Sequence, residues 1–526
     1  MRAQGLFRSV FTFGSWTLVS RVLGLVRDVV LGVVFGPSAA TDAFFVAFKI
    51  PNFMRRLFAE GAFSQAFVPV LSGYHSEAEF GEVRELIRRA SGSLALVLLA
   101  VTVAGVWGAP WLIRLFAPGF ADDPQRLSDA TWMLRVTFPY LMLISLTACA
   151  GAVLNSVGSF GPPAFAPVLL NVCLIAAALW FADAFSPGVV ALAWAVALAG
   201  VLQLLLQLPF LARRGLLVWP RPGFRHPGVR RILALMGPTL FGSSVQQINL
   251  LVDTILASFL VSGSISWLYW SDRLVEFPLG IFGVALGTVI LPRLSREHGD
   301  AGDNAFSATL DWALRLALVL IVPATVGLMA LAGPMITTLF HYGAFADHDV
   351  RAASFSLLTY AVGLLPFVLV KVLLPGYFAR QDTRTPVRYA VVAMFVNTGF
   401  SVLAVLALRG TGVAHAGLAF GTALAALVNA ALLAMGLRRA GVYRPGRGWP
   451  WLRRRVGGAA LIMLVVLYWP ATRLDTWLAA GLLDRVTWLT ATVGVGAAVY
   501  FAVLFALGVR PAALREPRAA DTLARG

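Results

Sequence analysis

Eight ionisable side chains, Arg21, Arg27, Asp28, Asp42, Lys49, Arg55, Arg56 and Glu60, fall between Ser20 and Val70. The stretch otherwise reads as two hydrophobic helices joined by Gly36-Pro37-Ser38. In a bilayer core each ionised group costs roughly 2.5–3.5 kcal/mol, so such residues must face one another or a wet cavity. Arg21 and Asp28 are two helical turns apart and share a face with about 10 Å of axial rise between them. Arg56 and Glu60 stand at i and i+4, within pairing reach, and Arg55 is one position round from them. Five cations against three anions leave a positive surplus. A chamber of that sign suits an anionic ligand, and arginine's planar fork suits phosphate in particular.

A second constellation is Asp272, Arg273 and Glu276, which share one helical face by their spacings of three and four. If two halves of the chain face each other, Arg273 is expected to meet Arg21, Arg27, Arg55 and Arg56 across a central cavity. The competing reading of these charges is a set of salt bridges that only hold the bundle together. Asp253, Asp382 and Thr398 form a further candidate set, because carboxylate and hydroxyl oxygens suit a hard coupling cation such as Na+; water-exposed carboxylates are the competing reading. Arg135 and Lys371 lie near span ends and can snorkel. His341 and His348 lack further ligands at metal spacing, and Gly283 and Gly287 form a GxxxG packing pair. GxxxxGK[ST], HExxH and GxSxG are all absent, which argues against ATP hydrolysis, zinc proteolysis and serine esterase chemistry. Cys149 and Cys173 sit in apolar runs and read as small buried hydrophobes.

The elements that must position these groups follow from composition. Of 526 residues 59% are hydrophobic and 13% charged, with mean hydropathy +0.80, so the chain reads as an all-α polytopic membrane protein. No cleavable signal peptide is read at its start. Apolar runs give fourteen spans, near 10–35, 39–70, 91–116, 129–156, 163–183, 187–212, 232–260, 264–292, 307–332, 350–378, 386–408, 412–437, 452–471 and 486–508. Loops after even-numbered spans are rich in arginine, as at Arg84, Arg88 and Arg89 or at Arg438, Arg439 and Arg444, and loops after odd spans are nearly bare. The positive-inside rule then places both termini in the cytoplasm and makes the +17 net charge a topology signal rather than a nucleic-acid footprint. Ser20–Ser72 and Ser244–Ser295 share a frame, with Asp28 opposite Asp253 and Lys49 opposite Arg273. Both copies follow an even number of spans, which implies parallel halves about an axis along the membrane normal. The expected division is 1–215 (spans one to six), 216–440 (spans seven to twelve) and 441–526 (two added spans and a cytoplasmic tail).

SRVLGLVRD, ATDAFFVAFKIPNFMRRLFAEGAFSQAFVPVL, FPYLMLISL, PAFAPVLLN and SGSISWLYWSDRLVEFPLGIFGVALGTVILPRLS together resemble the MurJ (MviN) family of lipid II flippases, within the multidrug/oligosaccharidyl-lipid/polysaccharide exporter superfamily. The resemblance covers essentially the whole chain. It implies fourteen helices in two six-helix lobes and, as substrate, lipid II, the undecaprenyl-pyrophosphoryl disaccharide pentapeptide. That substrate would be moved from the inner to the outer leaflet of the bacterial inner membrane for peptidoglycan synthesis. It further implies that Arg21, Arg27, Arg55 and Arg273 bind the pyrophosphate and headgroup, that Asp42 and Glu60 are acidic cavity positions, and that the two added helices line a groove for the polyprenyl tail. A sodium site would draw on Asp253 and Asp382, although Tyr377 and Phe378 are apolar where a ligand is expected. No resident cofactor is implied. Coupling to Na+ or H+, contact with peptidoglycan synthases and a monomeric state are expectations. Alternatives are a flippase for another polyprenyl-pyrophosphate oligosaccharide or a cation-coupled drug exporter, the latter disfavoured because the charge surplus is cationic.

Overall fold

The computed structural model describes residues 2–56, 63–77, 80–300, 302–408, 410–446 and 448–509. Its described residues are helical or irregular, with no strand among them. They form two compact units, 1–266 and 267–526.

In the first unit the chain runs through α1 (Arg2–Phe35), α2 (Ala39–Arg55), α3 (Ser64–Glu77), α4 (Phe80–Trp107) and α5 (Ala109–Phe116). It continues through α6 (Pro124–Thr137), α7 (Tyr140–Ser156), α8 (Gly161–Ala176), α9 (Val190–Arg213) and α10 (Pro227–Ser258). Its core gathers Phe63, Phe67 and Leu71 around α3, Leu86 and Ile87 of α4, Val153 and Leu154 of α7, and Ile232 of α10. The second unit begins within α11 (Ser264–Pro278) and passes through a π-helical turn, Leu279–Gly283, into α12 (Val284–Asp300). There follow α13 (Gly302–Ala330), α14 (Ala332–Phe340), α15 (Asp347–Val362), α16 (Leu364–Phe378), α17 (Arg384–Ala407) and α18 (Ala414–Arg439), then α19 (Trp449–Thr472), α20 (Leu474–Ala479) and α21 (Leu482–Ala506).

Ten helical stretches among the described residues are long and apolar enough to cross a membrane. They coincide with ten of the expected spans. Their outward side chains are apolar, for example Phe395 and Leu403 of α17 and Leu461 and Val465 of α19, all more than 60% exposed, as a lipid-facing surface requires. The described residues of the other four expected spans are mostly helical too, in α1, α2 with α3, α10, and α11 with α12, and these spans hold most of the charges singled out above.

Several boundaries differ from the sequence reading for local reasons. The expected span 91–116 is two helices, because Pro110 cannot continue the ladder and starts α5 after Gly108. Upstream, the helix already begins at Phe80, so Arg88 and Arg89 lie in its first turns, where Glu85 pairs with both. Within the first compact unit α10 packs on α3, α4 and α5, and the Gly119 N–H donates to Ser258 Oγ at 3.0 Å. Of the helices after 441, α19 and α21 pack on α13. Tyr500 of α21 donates its hydroxyl to Val319 O of α13, within a core that includes Leu452 and Met463 of α19. Gly283 and Gly287 pack: a Cβ on either would meet Lys371 of α16 at 3.6 and 3.3 Å.

Candidate functional site: cationic helices in each unit

α1 ends where Gly36 adopts φ +56°, a left-handed conformation that glycine takes without strain. Ser38 then caps α2, its Oγ accepting the Thr41 N–H. This places Asp42 in the first turn of α2, where the helix dipole favours an anion. Asp42 is fully buried and saturated. It accepts from Arg126 Nη2 at 2.6 Å, the Gly263 N–H at 2.8 Å, the Ser266 N–H at 2.8 Å and Ser266 Oγ at 2.6 Å. Arg126 in turn lies over the Phe120 ring at 3.9 Å. Its carboxylate thus joins α2, α6 and the segment entering α11 in a buried clamp.

Arg27 and Asp28 form the second charged node. Arg27 Nε and Nη2 donate to Asp28 Oδ1 at 2.9 and 2.6 Å, and Arg27 Nη1 donates to Asn171 Oδ1 of α8 at 3.0 Å. Asp28 is 2% exposed, so the pair sits inside the unit. Its partner is the neighbouring arginine, not the Arg21 that shares its face. Arg21 is exposed, with no hydrogen bond to another described residue. At the far end of α2, Arg55 Nε donates to Asn52 Oδ1 at 3.3 Å, and Arg56 is exposed at a π-helical turn. Glu60 lies outside the described residues.

In the second unit Arg273 donates to Glu276, the i, i+3 contact its spacing allows, with its guanidinium 4.9 Å from the Tyr269 ring centre. α11 is fixed by Ser271 Oγ donating to Ala353 O and by the Trp267 indole donating to Asp349.

The candidate cation ligands come from both units. Asp253 is on α10 of the first unit, and Asp382 and Thr398 are in the second. Asp382 accepts the backbone N–H groups of Arg384 and Thr385 at the start of α17. Although desolvation raises its carboxyl pKa, those bonds and the Thr385 hydroxyl bring it below the ordinary aspartate value. Thr398 follows Arg384 by fourteen residues of unbroken helix, about 21 Å of rise, so one ion does not bridge Asp382 and Thr398. No group of three or more His, Cys, Asp or Glu side chains at metal-holding distance occurs among the described residues. His341 bonds Asp347 through Nε2 and meets Arg485 through Nδ1. Both cysteines are free thiols.

Two participants were not singled out from sequence. Arg126 lies in a polar stretch before the fourth expected span, and nothing local marks it as Asp42's partner 84 positions away. Asn171 closes the PAFAPVLLN stretch, which was noted only for its family likeness.

Helices of membrane-spanning length and composition, with paired charges on helices of each of two units, define a polytopic membrane protein. The family profile described as "Lipid II flippase MurJ" matches residues 31–487, and the chain belongs to that family, whose members are transporters rather than enzymes. It is 47% identical over 515 residues to the "Probable lipid II flippase MurJ" of Vibrio cholerae serotype O1, covering 97% of each chain. It is 43% identical over 518 residues to the "Lipid II flippase MurJ" of Burkholderia cenocepacia, covering 98% of this chain and 99% of that one. Among solved structures, a lipid II flippase MurJ in an inward closed conformation superposes with TM-score 0.77 at 27% identity, over 93% of this chain and 97% of that one. An inward-facing multidrug resistance MATE family transporter of the MOP superfamily matches at TM-score 0.66 and 15% identity, a likeness of fold alone, over 82% of this chain and 98% of that one.

Proposed function

We propose that this protein flips lipid II from the inner to the outer leaflet of the bacterial cytoplasmic membrane by alternating access. The observation that carries the reading is family membership along nearly the whole chain, with arginines kept inside α1 and α11 of a bilayer-spanning protein. Arg21, Arg27, Arg55, Arg56 and Arg273 bind the diphosphate and headgroup. Five guanidinium groups offset the desolvation of an anion of about two charges, a cost of several kcal/mol per ion in a low-dielectric site. Arg27 and Arg273 already have carboxylate partners, so the substrate exchanges with Asp28 and Glu276 rather than meeting bare cations.

The topology that serves this cycle has fourteen spans with both termini cytoplasmic, supported by the arginine-rich loops. The tail stays in lipid, against α19 and α21, while the headgroup crosses. An inside-negative potential near 100 mV favours outward passage of each net negative charge by about 2.3 kcal/mol, so ATP is not needed. Return of the cationic empty protein is driven by the same field. Coupling to Na+ or H+ through Asp253 is secondary, a monomer suffices, and peptidoglycan synthases consume the product.

The test is complementation of a bacterium depleted of its own lipid II flippase. The unsubstituted chain restores growth, and Arg21→Ala, Arg27→Ala and Arg273→Ala each fail while remaining inserted. Full growth with all three variants overturns the site assignment.

A further inference from the structure

Asn171 closes a stretch of α8 whose conformation is set by prolines, at Pro163 and Pro167, and its side chain is 5% exposed. The α1 residues nearest it are Ser20, Gly24 and Arg27, at i, i+4 and i+7, one face of one helix. Asn171 Nδ2 donates to Ser20 O at 3.1 Å, and its Oδ1 accepts Arg27 Nη1 at 3.0 Å. Gly24 lies beside this contact, and a Cβ there would stand 3.9 Å from Asn171 Nδ2, in ordinary contact. The two bonds also fix the amide's orientation, since only its nitrogen can donate to a carbonyl and only its oxygen can accept from a guanidinium.

Arg27 is therefore held from two directions. Asp28, its sequence neighbour, takes Nε and Nη2 and moves with α1. Asn171 takes Nη1 and belongs to α8, so it refers the guanidinium to a second helix. A cation held only by its chain neighbour can rotate with its own backbone, and one also tied to a neighbouring helix keeps its plane. Asn171 does this as a neutral group, which orients the arginine without cancelling more of its charge.

We infer that Asn171 is a positioning residue for the diphosphate-binding arginine Arg27, aligning its guanidinium plane for the anionic headgroup. This rests on the assignment of Arg27 to the diphosphate. The experiment is a double-mutant cycle on the purified full-length protein, with lipid II as the titrant and the unfolding midpoint recorded for each variant. Asn171→Ala weakens lipid II binding about tenfold, the ratio that a lost charge-assisted hydrogen bond of about 1.4 kcal/mol produces. In an Arg27→Ala background the same substitution has no further effect on binding, because its target is gone. If Asn171→Ala does not fold, Asn171→Ser replaces it in the same cycle. Equal losses with and without Arg27 would make Asn171 a packing residue only and overturn the inference, as would unchanged binding in Asn171→Ala. Failure of lipid II to bind the unsubstituted protein overturns the functional reading itself and is distinct from both.

Discussion

Replacing Asp42 by alanine separates a structural carboxylate from a ligand-facing one. In the folded protein Asp42 is completely buried and accepts four hydrogen bonds, one of them from the Arg126 guanidinium, which lies 7% exposed. Removing one partner of such a pair leaves an uncompensated buried charge and costs about 3–5 kcal/mol. Arg126→Ala is milder, because Asp42 keeps the Gly263 and Ser266 donors, three of its four bonds. Replacing both, as in Asp42→Asn with Arg126→Met, costs less than Asp42→Ala alone, since no bare charge remains. Thermal unfolding of the purified protein, followed by size-exclusion recovery, ranks the four proteins: unsubstituted, then Arg126→Ala and the double variant, then Asp42→Ala. An Asp42→Ala protein that unfolds at the unsubstituted midpoint would refute the clamp and return Asp42 to the set of ligand-facing groups.

Arg21 gives the opposite pattern. It is exposed, so Arg21→Ala shifts stability by no more than about 0.5 kcal/mol, while complementation of a flippase-depleted strain is lost. Asp382→Ala removes the acceptor for two N–H groups at the start of α17 and lowers the unfolding free energy by about 1 kcal/mol. Its carboxyl pKa is depressed in the folded protein, so this contribution is complete above the ordinary aspartate value and disappears as pH falls through the lower folded one. Asp382→Asn accordingly flattens the acid limb of a stability–pH curve, its cost appearing at neutral pH and fading in acid. A Cβ on Gly119 would stand 2.3 Å from Ser258 O, so Gly119→Ala forces α10 away from the 118–122 turn. It costs about 1–3 kcal/mol, visible as a lowered unfolding midpoint.

The sequence made legible whatever depends on composition and short-range period. Ten apolar runs became helices of membrane-spanning length, and Arg273 pairs with Glu276 as a spacing of three dictates. Partners distant in sequence stayed hidden. Asp42 is bound by Arg126, Gly263 and Ser266, up to 224 positions away, and no periodicity encodes that meeting. Face-sharing also misled: Arg21 and Asp28 lie on one side of α1, yet the flexible Arg27 side chain folds back on its neighbour at 2.6 Å, closer than two turns of helix permit. Asp382 was read for its charge, as a cation ligand, although Asp-Thr-Arg-Thr-Pro also carries the marks of a helix start, a short acidic acceptor ahead of a first-turn proline. Helix ends at Gly108 and Gly36 were readable in the same way, from glycine and proline beside apolar runs.

The account stands most directly on transbilayer movement itself. In cells depleted of their own flippase and expressing this chain, lipid II exposed on the outer leaflet is measured with a membrane-impermeant probe. The account predicts outer-leaflet lipid II restored by the unsubstituted protein, abolished by Arg27→Ala, and reduced when the membrane potential is collapsed. Lipid II confined to the inner leaflet while the protein is inserted at normal abundance would contradict it.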